Sequence, residues 1–207
     1  MNVVSVEFLR SAASAADFPH EPWPQLAMVG RSNVGKSTLI NALSKRRVAR
    51  TSAAPGKTRL VNLYLVETAR RDLRRCFLVD LPGYGYARGG DASRSEFDRL
   101  VRVYYAHPPH GHPLAADVFG PAATLVLVDA RHPGLAADVA AVSWIAAVGR
   151  PYMVVATKVD KLSRAERTDA LHAWSEALHC PVEPISSVTG EGLDALWTTI
   201  SRTLSNP

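Results

Sequence analysis

The chain of 207 residues has only two cysteines, and none of its apolar runs approaches the ~20 residues that a membrane-spanning helix needs. Cys76 and Cys180 sit in or beside apolar runs without metal-ligand spacing and are too few for a disulfide framework, so both read as reduced core residues. The segment after Met1 carries acidic Glu7 and lacks a basic stretch followed by an apolar one, so no targeting segment is predicted and a cytoplasmic protein is expected. Disorder of the whole chain is excluded too, because 47% of residues are hydrophobic and 21% charged, within the globular range. This length suits one domain with short extensions. Acidic residues are outnumbered, giving a formal net charge of +5, and the basic residues are mostly arginine, whose planar fork suits phosphate. Nucleic acid is therefore a candidate partner, while arginine and alanine usage set by genome composition explains the same counts.

Short β-branched apolar runs alternate with helical patterns: Leu26 to Val29, Leu60 to Val66, Cys76 to Val79, Thr124 to Val128, Tyr152 to Ala156 and Val182 to Ile185. The rhythm predicts an α/β fold of three layers, with a mostly parallel six-stranded sheet and helices on both faces. Val61, Leu63 and Leu65 alternate with Asn62 and Tyr64, the period of one antiparallel edge strand, and Thr68 to Arg75 reads as its hairpin turn. Helices are expected over Ser37 to Leu43, Ser93 to Tyr105, Leu135 to Val148, from the capping box Ser163/Glu166 to Leu178, and over Leu193 to Leu204. Residues 1–25, with Pro19, Pro22 and Pro24, are expected to pack as an extended arm on a domain spanning 26–207.

Gly30-Arg31-Ser32-Asn33-Val34-Gly35-Lys36-Ser37 matches the phosphate-binding pattern G-x-x-x-x-G-K-[ST], after an apolar strand and opening a helix. Backbone N–H groups can turn inward around phosphate oxygens there, Lys36 can neutralise β- and γ-phosphates, and the Ser37 hydroxyl, followed by Thr38, can ligate Mg²⁺. Asp80-Leu81-Pro82-Gly83 ends the third apolar run, as a D-x-x-G element should: Asp80 can hold Mg²⁺ through water, and Gly83 can offer its N–H to the γ-phosphate. Together these predict a P-loop nucleotide-binding domain.

The base is chosen at Thr157-Lys158-Val159-Asp160, which resembles the [NT]KxD element of GTPases. A carboxylate at Asp160 can accept both the N1 and 2-amino hydrogens of guanine, a pair adenine does not offer, while the Lys158 stem covers the ring. Mismatch would leave a buried carboxylate unpaired, at a cost on the order of several kcal/mol. Ile185-Ser186-Ser187 occupies the position of a further guanine-contacting loop, although such residues are also ordinary turn formers. Switch I is expected within Arg46 to Arg59, where Pro55-Gly56-Lys57-Thr58 places Thr58 to give its hydroxyl to Mg²⁺ and its N–H to the γ-phosphate. The hydrolytic step is assigned to Lys36, Thr58 and Gly83. Tyr84 stands where many GTPases carry a water-orienting glutamine, which predicts slow intrinsic turnover; in a subset of related GTPases an asparagine at the Asn33 position helps coordinate a potassium ion, which adds that ion as an expectation beside GTP or GDP and Mg²⁺.

Gly-Arg-Ser-Asn-Val-Gly-Lys-Ser, Pro-Gly-Lys-Thr, Asp-Leu-Pro-Gly-Tyr-Gly-Tyr-Ala and Asp-Ala-Arg-His-Pro together resemble the EngB family, also called YihA or YsxC, of the TrmE-Era-EngA-EngB-like P-loop GTPases. The likeness spans roughly residues 5 to 204 and is most specific over Asp80 to Ala87. It implies a GTPase that assists assembly of the large ribosomal subunit, with a downstream requirement in cell division; the alternative is a GTPase acting directly on division proteins. Ribosomal RNA and proteins are then the expected partners of a monomer with no membrane attachment. Arg46, Arg47, Arg50, Arg70, Arg71, Arg74 and Arg75 either form RNA-facing patches or are solvated charges. One departure is the long segment His107 to Pro121, whose His107, His110 and His112 lack accompanying ligands at metal spacing and read as part of a solvated loop.

Overall fold

A computed structural model describes residues 3–49, 60–84, 101–106 and 120–205. Seven strands run in chain order as β1 (Val3–Ala12), β2 (Gln25–Gly30), β3 (Val61–Thr68), β4 (Arg75–Asp80), β5 (Ala123–Asp129), β6 (Tyr152–Thr157) and β7 (Val182–Pro184). The helices are α1 (Lys36–Ser44), α2 (residues 101–106), α3 (Ala136–Ala147), α4 (Arg164–Leu178) and α5 (Leu193–Ser205). The sheet order is β1-β3-β4-β2-β5-β6-β7; β1/β3 and β3/β4 are antiparallel, and the other pairs are parallel.

The strands run through two cores, because alternate residues face opposite layers. Leu26 and Met28 of β2 point with Leu125 and Leu127 toward α1 and α5, while Ala27 and Val29 point with Val126 and Val128 toward α2, α3 and α4. The last helix carries the stripe expected of it: Leu193, Leu196, Trp197, Ile200 and Leu204 are all buried. Each such large apolar side chain contributes about 1.5–3 kcal/mol by leaving water. On α4, the Ser163 hydroxyl accepts from the Glu166 N–H at 3.4 Å while the Glu166 carboxylate accepts from the Ser163 N–H at 2.8 Å, closing the capping box.

Among the described residues the sheet has seven strands rather than six, and β3 is not its edge. Within the segment expected to pack as an extended arm, Val3–Ala12 form β1, which pairs with β3 from Val3↔Thr68 to Ala12↔Val61 across two register shifts. Tyr64 and Val66 are consequently buried in the α1/α5 core, while Val61 and Leu63 enter the other, so both faces of β3 are covered. Switch I from residue 51 to 59, the stretch 85–100 and the histidine-rich segment 107–119 lie outside the described residues, and with them Pro55, Gly56, Lys57 and Thr58.

Candidate functional site

The strands β2, β4, β5 and β6 are parallel neighbours, so their C-terminal residues Gly30, Asp80, Asp129 and Thr157 gather at one end of the sheet. The chain leaves β2 into the phosphate loop and enters α1 through Gly35, whose φ of 118° is a conformation that L side chains rarely adopt. Leu39 N–H bonds back to the Gly35 carbonyl at 2.8 Å, starting the helix. The Lys36 side chain curls across the loop and donates to the Gly30 carbonyl at 3.0 Å. Burial lowers the Lys36 pKa, against the opposing pull of the Asp80 charge. Ser37 and Thr38 follow in the first turn, Ser37 half-buried and Thr38 exposed.

Asp80 is 2% exposed, and its Oδ1 has no hydrogen-bond partner. Burial pushes its carboxyl up to about 6, although the Lys36 charge works the other way. A buried carboxylate oxygen left unsatisfied is costly. With the Ser37 hydroxyl it forms a set of hard oxygen donors of the kind Mg²⁺ prefers, so these residues fit that ion. Leu81 N–H bonds to the Met28 carbonyl at 3.2 Å and carries the chain through Pro82 to Gly83. A Cβ at Gly83 would lie 2.7 Å from the Ser32 amide nitrogen and 2.9 Å from its Cα, so only glycine permits this approach.

The start of the D-x-x-G continuation is tied onto the phosphate loop. Ser32 N–H donates to the Tyr84 carbonyl at 3.2 Å, and Arg31 and Tyr84 form a parallel β-bridge. The Tyr84 hydroxyl donates to Asp138 Oδ1 at 2.8 Å, and Arg31 Nε lies 3.8 Å from the same oxygen. Asp138 stands in the first turn of α3; burial raises the pKa of its carboxyl and of the Tyr84 phenol, and its Oδ2 has no partner.

Four loops meet at the base-recognition element. Thr157 Oγ1 donates to the Val34 carbonyl at 2.7 Å and bonds Val128 at 3.1 Å. Lys158, at φ 63°, sends its ammonium to the Asn33 carbonyl at 2.7 Å and Asp129 Oδ2 at 2.8 Å. Asp129 also receives a bidentate pair from Arg131, 2.9 and 2.8 Å. Burial opposes ionisation of Asp129, but the Arg131 guanidinium and the Lys158 ammonium outweigh it and hold the carboxyl well below the usual range. Asp160 accepts from the Ser186 hydroxyl at 2.7 Å, which lowers its pKa, and that same hydroxyl accepts from the N–H groups of Val188 and Thr189. Val159 N–H reaches the Ile185 carbonyl at 3.4 Å, so the Thr-Lys-Val-Asp turn and the Ile185-Ser186-Ser187 loop are one assembly.

Sequence reasoning assigned no role to Asp129, Arg131 or Asp138. Asp129 and Asp138 find Lys158 and Tyr84 in other loops, Arg131 bonds Asp129 two residues away, and the available signal was the Asp-Ala-Arg-His-Pro stretch that follows an apolar strand. Among the described residues no group of three or more His, Cys, Asp and Glu side chains could hold a metal.

A strand-loop-helix cradle serves many nucleotides, but a Thr-Lys-x-Asp turn packed against it, with Asp-x-x-G on the neighbouring strand, narrows the class to P-loop GTPases. A family model described as "50S ribosome-binding GTPase" matches residues 25–158. The probable GTP-binding protein EngB of Pelotomaculum thermopropionicum is 39% identical, covering 98% of this chain and 96% of the relative. That of Thermotoga maritima is 36% identical, covering 99% and 98%. The chain belongs to the EngB family of GTP-binding proteins, and it is a GTPase.

Solved structures agree on the fold. A probable GTP-binding protein engB superposes with a TM-score of 0.63 at 20% identity, over 88% of this chain and 99% of that one. Era in complex with MgGDPNP and a segment of 16S ribosomal RNA gives 0.67 at 25% identity over 87% of this chain, which spans 56% of the Era chain. No helix among the described residues is long and apolar enough to cross a membrane.

Proposed function

We propose that this GTPase is a slowly hydrolysing molecular switch that assists assembly of the large ribosomal subunit, and that its requirement in cell division is an indirect consequence. The observation that carries the reading is the match of residues 25–158 to a family described as binding the 50S ribosome. Era, solved with ribosomal RNA, lends support as a relative of the same fold. The protein acts as a cytoplasmic monomer on ribosomal RNA and proteins of the subunit or its precursor.

In this reading the amides of Gly30 to Ser37 cradle the phosphates, Lys36 neutralises the β- and γ-oxygens, and Asp160 with Ser186 and Ser187 reads guanine. Ser37, Thr58 and, through water, Asp80 would hold Mg²⁺, which would supply positive charge to the phosphates. Thr58 and Gly83 report the γ-phosphate through their N–H groups. Tyr84, bonded to Asp138, cannot orient an attacking water as a glutamine amide does, so turnover is slow without help. Asn33, at φ 62° on the rim of the loop, is where a potassium ion would add positive charge; equal hydrolysis rates in KCl and NaCl would remove that ion from the scheme.

Two experiments divide the proposal. Calorimetry with GDP, GTP and ADP, on the wild type and Asp160→Asn, should give guanine-only binding that the substitution abolishes. Cosedimentation with ribosomal subunits should depend on the bound nucleotide and weaken with salt; no cosedimentation in any nucleotide state refutes the ribosomal role while leaving the GTPase intact.

A further inference from the structure

The β3–β4 hairpin turn lies at the end of the sheet opposite the nucleotide site. β2 begins at Gln25, directly after Trp23 and Pro24, and ends at Gly30; its 6 residues separate the two poles by about 20 Å. At the far pole Trp23, the turn residues 71–75 and Leu204 of α5 line an open cleft of about 620 Å³.

The chemistry of this cleft is one-sided. Arg71, Arg74 and Arg75 line it against one lining carboxylate, Asp72, and that carboxylate is already engaged. Asp72 pairs with Arg70 at 2.5 Å, and Glu67 pairs with Arg75 at 2.8 Å. Arg71 and Arg74 are exposed and have no acidic partner among the described residues. Arg75 is held with its Cζ 4.9 Å from the Trp23 ring centroid, and Trp23 is braced in turn by Phe77 at 5.4 Å. The guanidinium of Arg75 therefore has a fixed position while its side chain stays 47% exposed.

Unpaired guanidinium groups bind phosphate through two parallel hydrogen bonds, and a fixed guanidinium plane offers a stacking surface to an unpaired base. A duplex keeps its bases paired and stacked, and a run of Asp and Glu brings no planar ring to the Arg75 plane, whereas a single strand supplies both phosphates and free bases. We propose that this cleft binds a single-stranded segment of RNA, with phosphates on Arg71 and Arg74 and a base against Arg75. The partner class rests on the ribosomal reading above; the site itself is separate from the GTP site and leaves it free.

The test is fluorescence anisotropy of a labelled single-stranded RNA dodecamer titrated with the full GDP-loaded chain, wild type against R71A/R74A, over a series of salt concentrations. Loss of two phosphate contacts should weaken binding about tenfold or more at low salt and reduce the slope of log K against log salt by about 1.4. Unchanged GDP affinity and thermal midpoint would show that the double variant is folded. RNA binding by that folded variant with wild-type affinity and salt slope overturns the site, as does equal arginine-dependent binding of polyglutamate. Subunit cosedimentation of the same wild-type protein separates the two claims: if it persists while RNA binding ignores the arginines, only the cleft assignment fails. If wild type neither cosediments nor binds RNA, both fail.

Discussion

Asp80 is expected to destabilise the empty protein. Its folded-state pKa of about 6 stands roughly 2 units above the ordinary 3.8 because the carboxyl is buried with one oxygen unbonded. A raised carboxyl pKa means that folding favours the protonated form. The stabilising contribution is complete below 3.8 and lost as pH rises through about 6. At neutral pH the charge therefore costs about 3 kcal/mol relative to the neutral acid, after the favourable pull of Lys36 is included. Asp80→Asn removes the charge at nearly constant shape. In nucleotide-free, Mg²⁺-free protein at pH 7.5, urea and thermal denaturation should show the variant about 2–3 kcal/mol more stable, a rise of about 4–12 °C in Tm for a chain of this size. The difference should shrink as pH falls toward 4.5, and the variant should lose the stabilisation that wild type gains from Mg²⁺ with GDP. A variant less stable than wild type at pH 7.5, or a gap that ignores pH, refutes the reasoning.

Tyr84→Phe removes the hydroxyl that bonds Asp138 and leaves a second buried carboxylate oxygen unsatisfied. The empty protein should lose about 1–2 kcal/mol in denaturation, and stopped-flow association of a fluorescent GTP analogue should be faster because the segment is less firmly held on the phosphate loop; slower association counts against that hold. Asp129→Asn deprives Lys158 and Arg131 of their shared anchor. Its lowered carboxyl pKa contributes stability above the unfolded value and loses it as pH falls, so the variant should be less stable by about 1–3 kcal/mol at neutral pH, with the deficit narrowing in acid and GDP affinity reduced in calorimetry. Ser163→Ala removes the hydroxyl half of the capping box and should cost about 1 kcal/mol in denaturant unfolding with GDP binding unchanged.

Local pattern made the central strands and the phosphate loop legible. β2, β4 and β5 are apolar runs buried on both faces, and Gly30 to Ser37 is a contiguous motif whose own backbone makes the turn. β1 could not be read the same way. Only Val6 and Ala12 among its residues are buried, Phe8 remains 51% exposed, and Ser5, Glu7, Arg10 and Ser11 interrupt any apolar run. It is a strand because β3, about 60 residues later, offers it a free edge, a cause that lies outside the segment itself. The same distinction separates the two halves of the site. Asp80 and Asp160 sit within motifs whose chemistry is legible, whereas Asp129, although inside Asp-Ala-Arg-His-Pro, works through Lys158, 29 residues away, and Asp138 through Tyr84, 54 residues away. Yet the sheet contains the rule that links them. Asp129 and Thr157 are register partners on adjacent parallel strands, so the residue after Thr157 must emerge beside the carboxylate that closes β5. Asp80 closes the apolar β4 in the same way, with Met28 of β2 as its register partner two residues before Gly30. A buried carboxylate at the C-terminal end of an otherwise apolar parallel strand keeps its charge without loss of stability only where a cation stands beside it. Its presence on two neighbours of β2 marks the pole at which cations, of the protein or of its ligand, must be gathered.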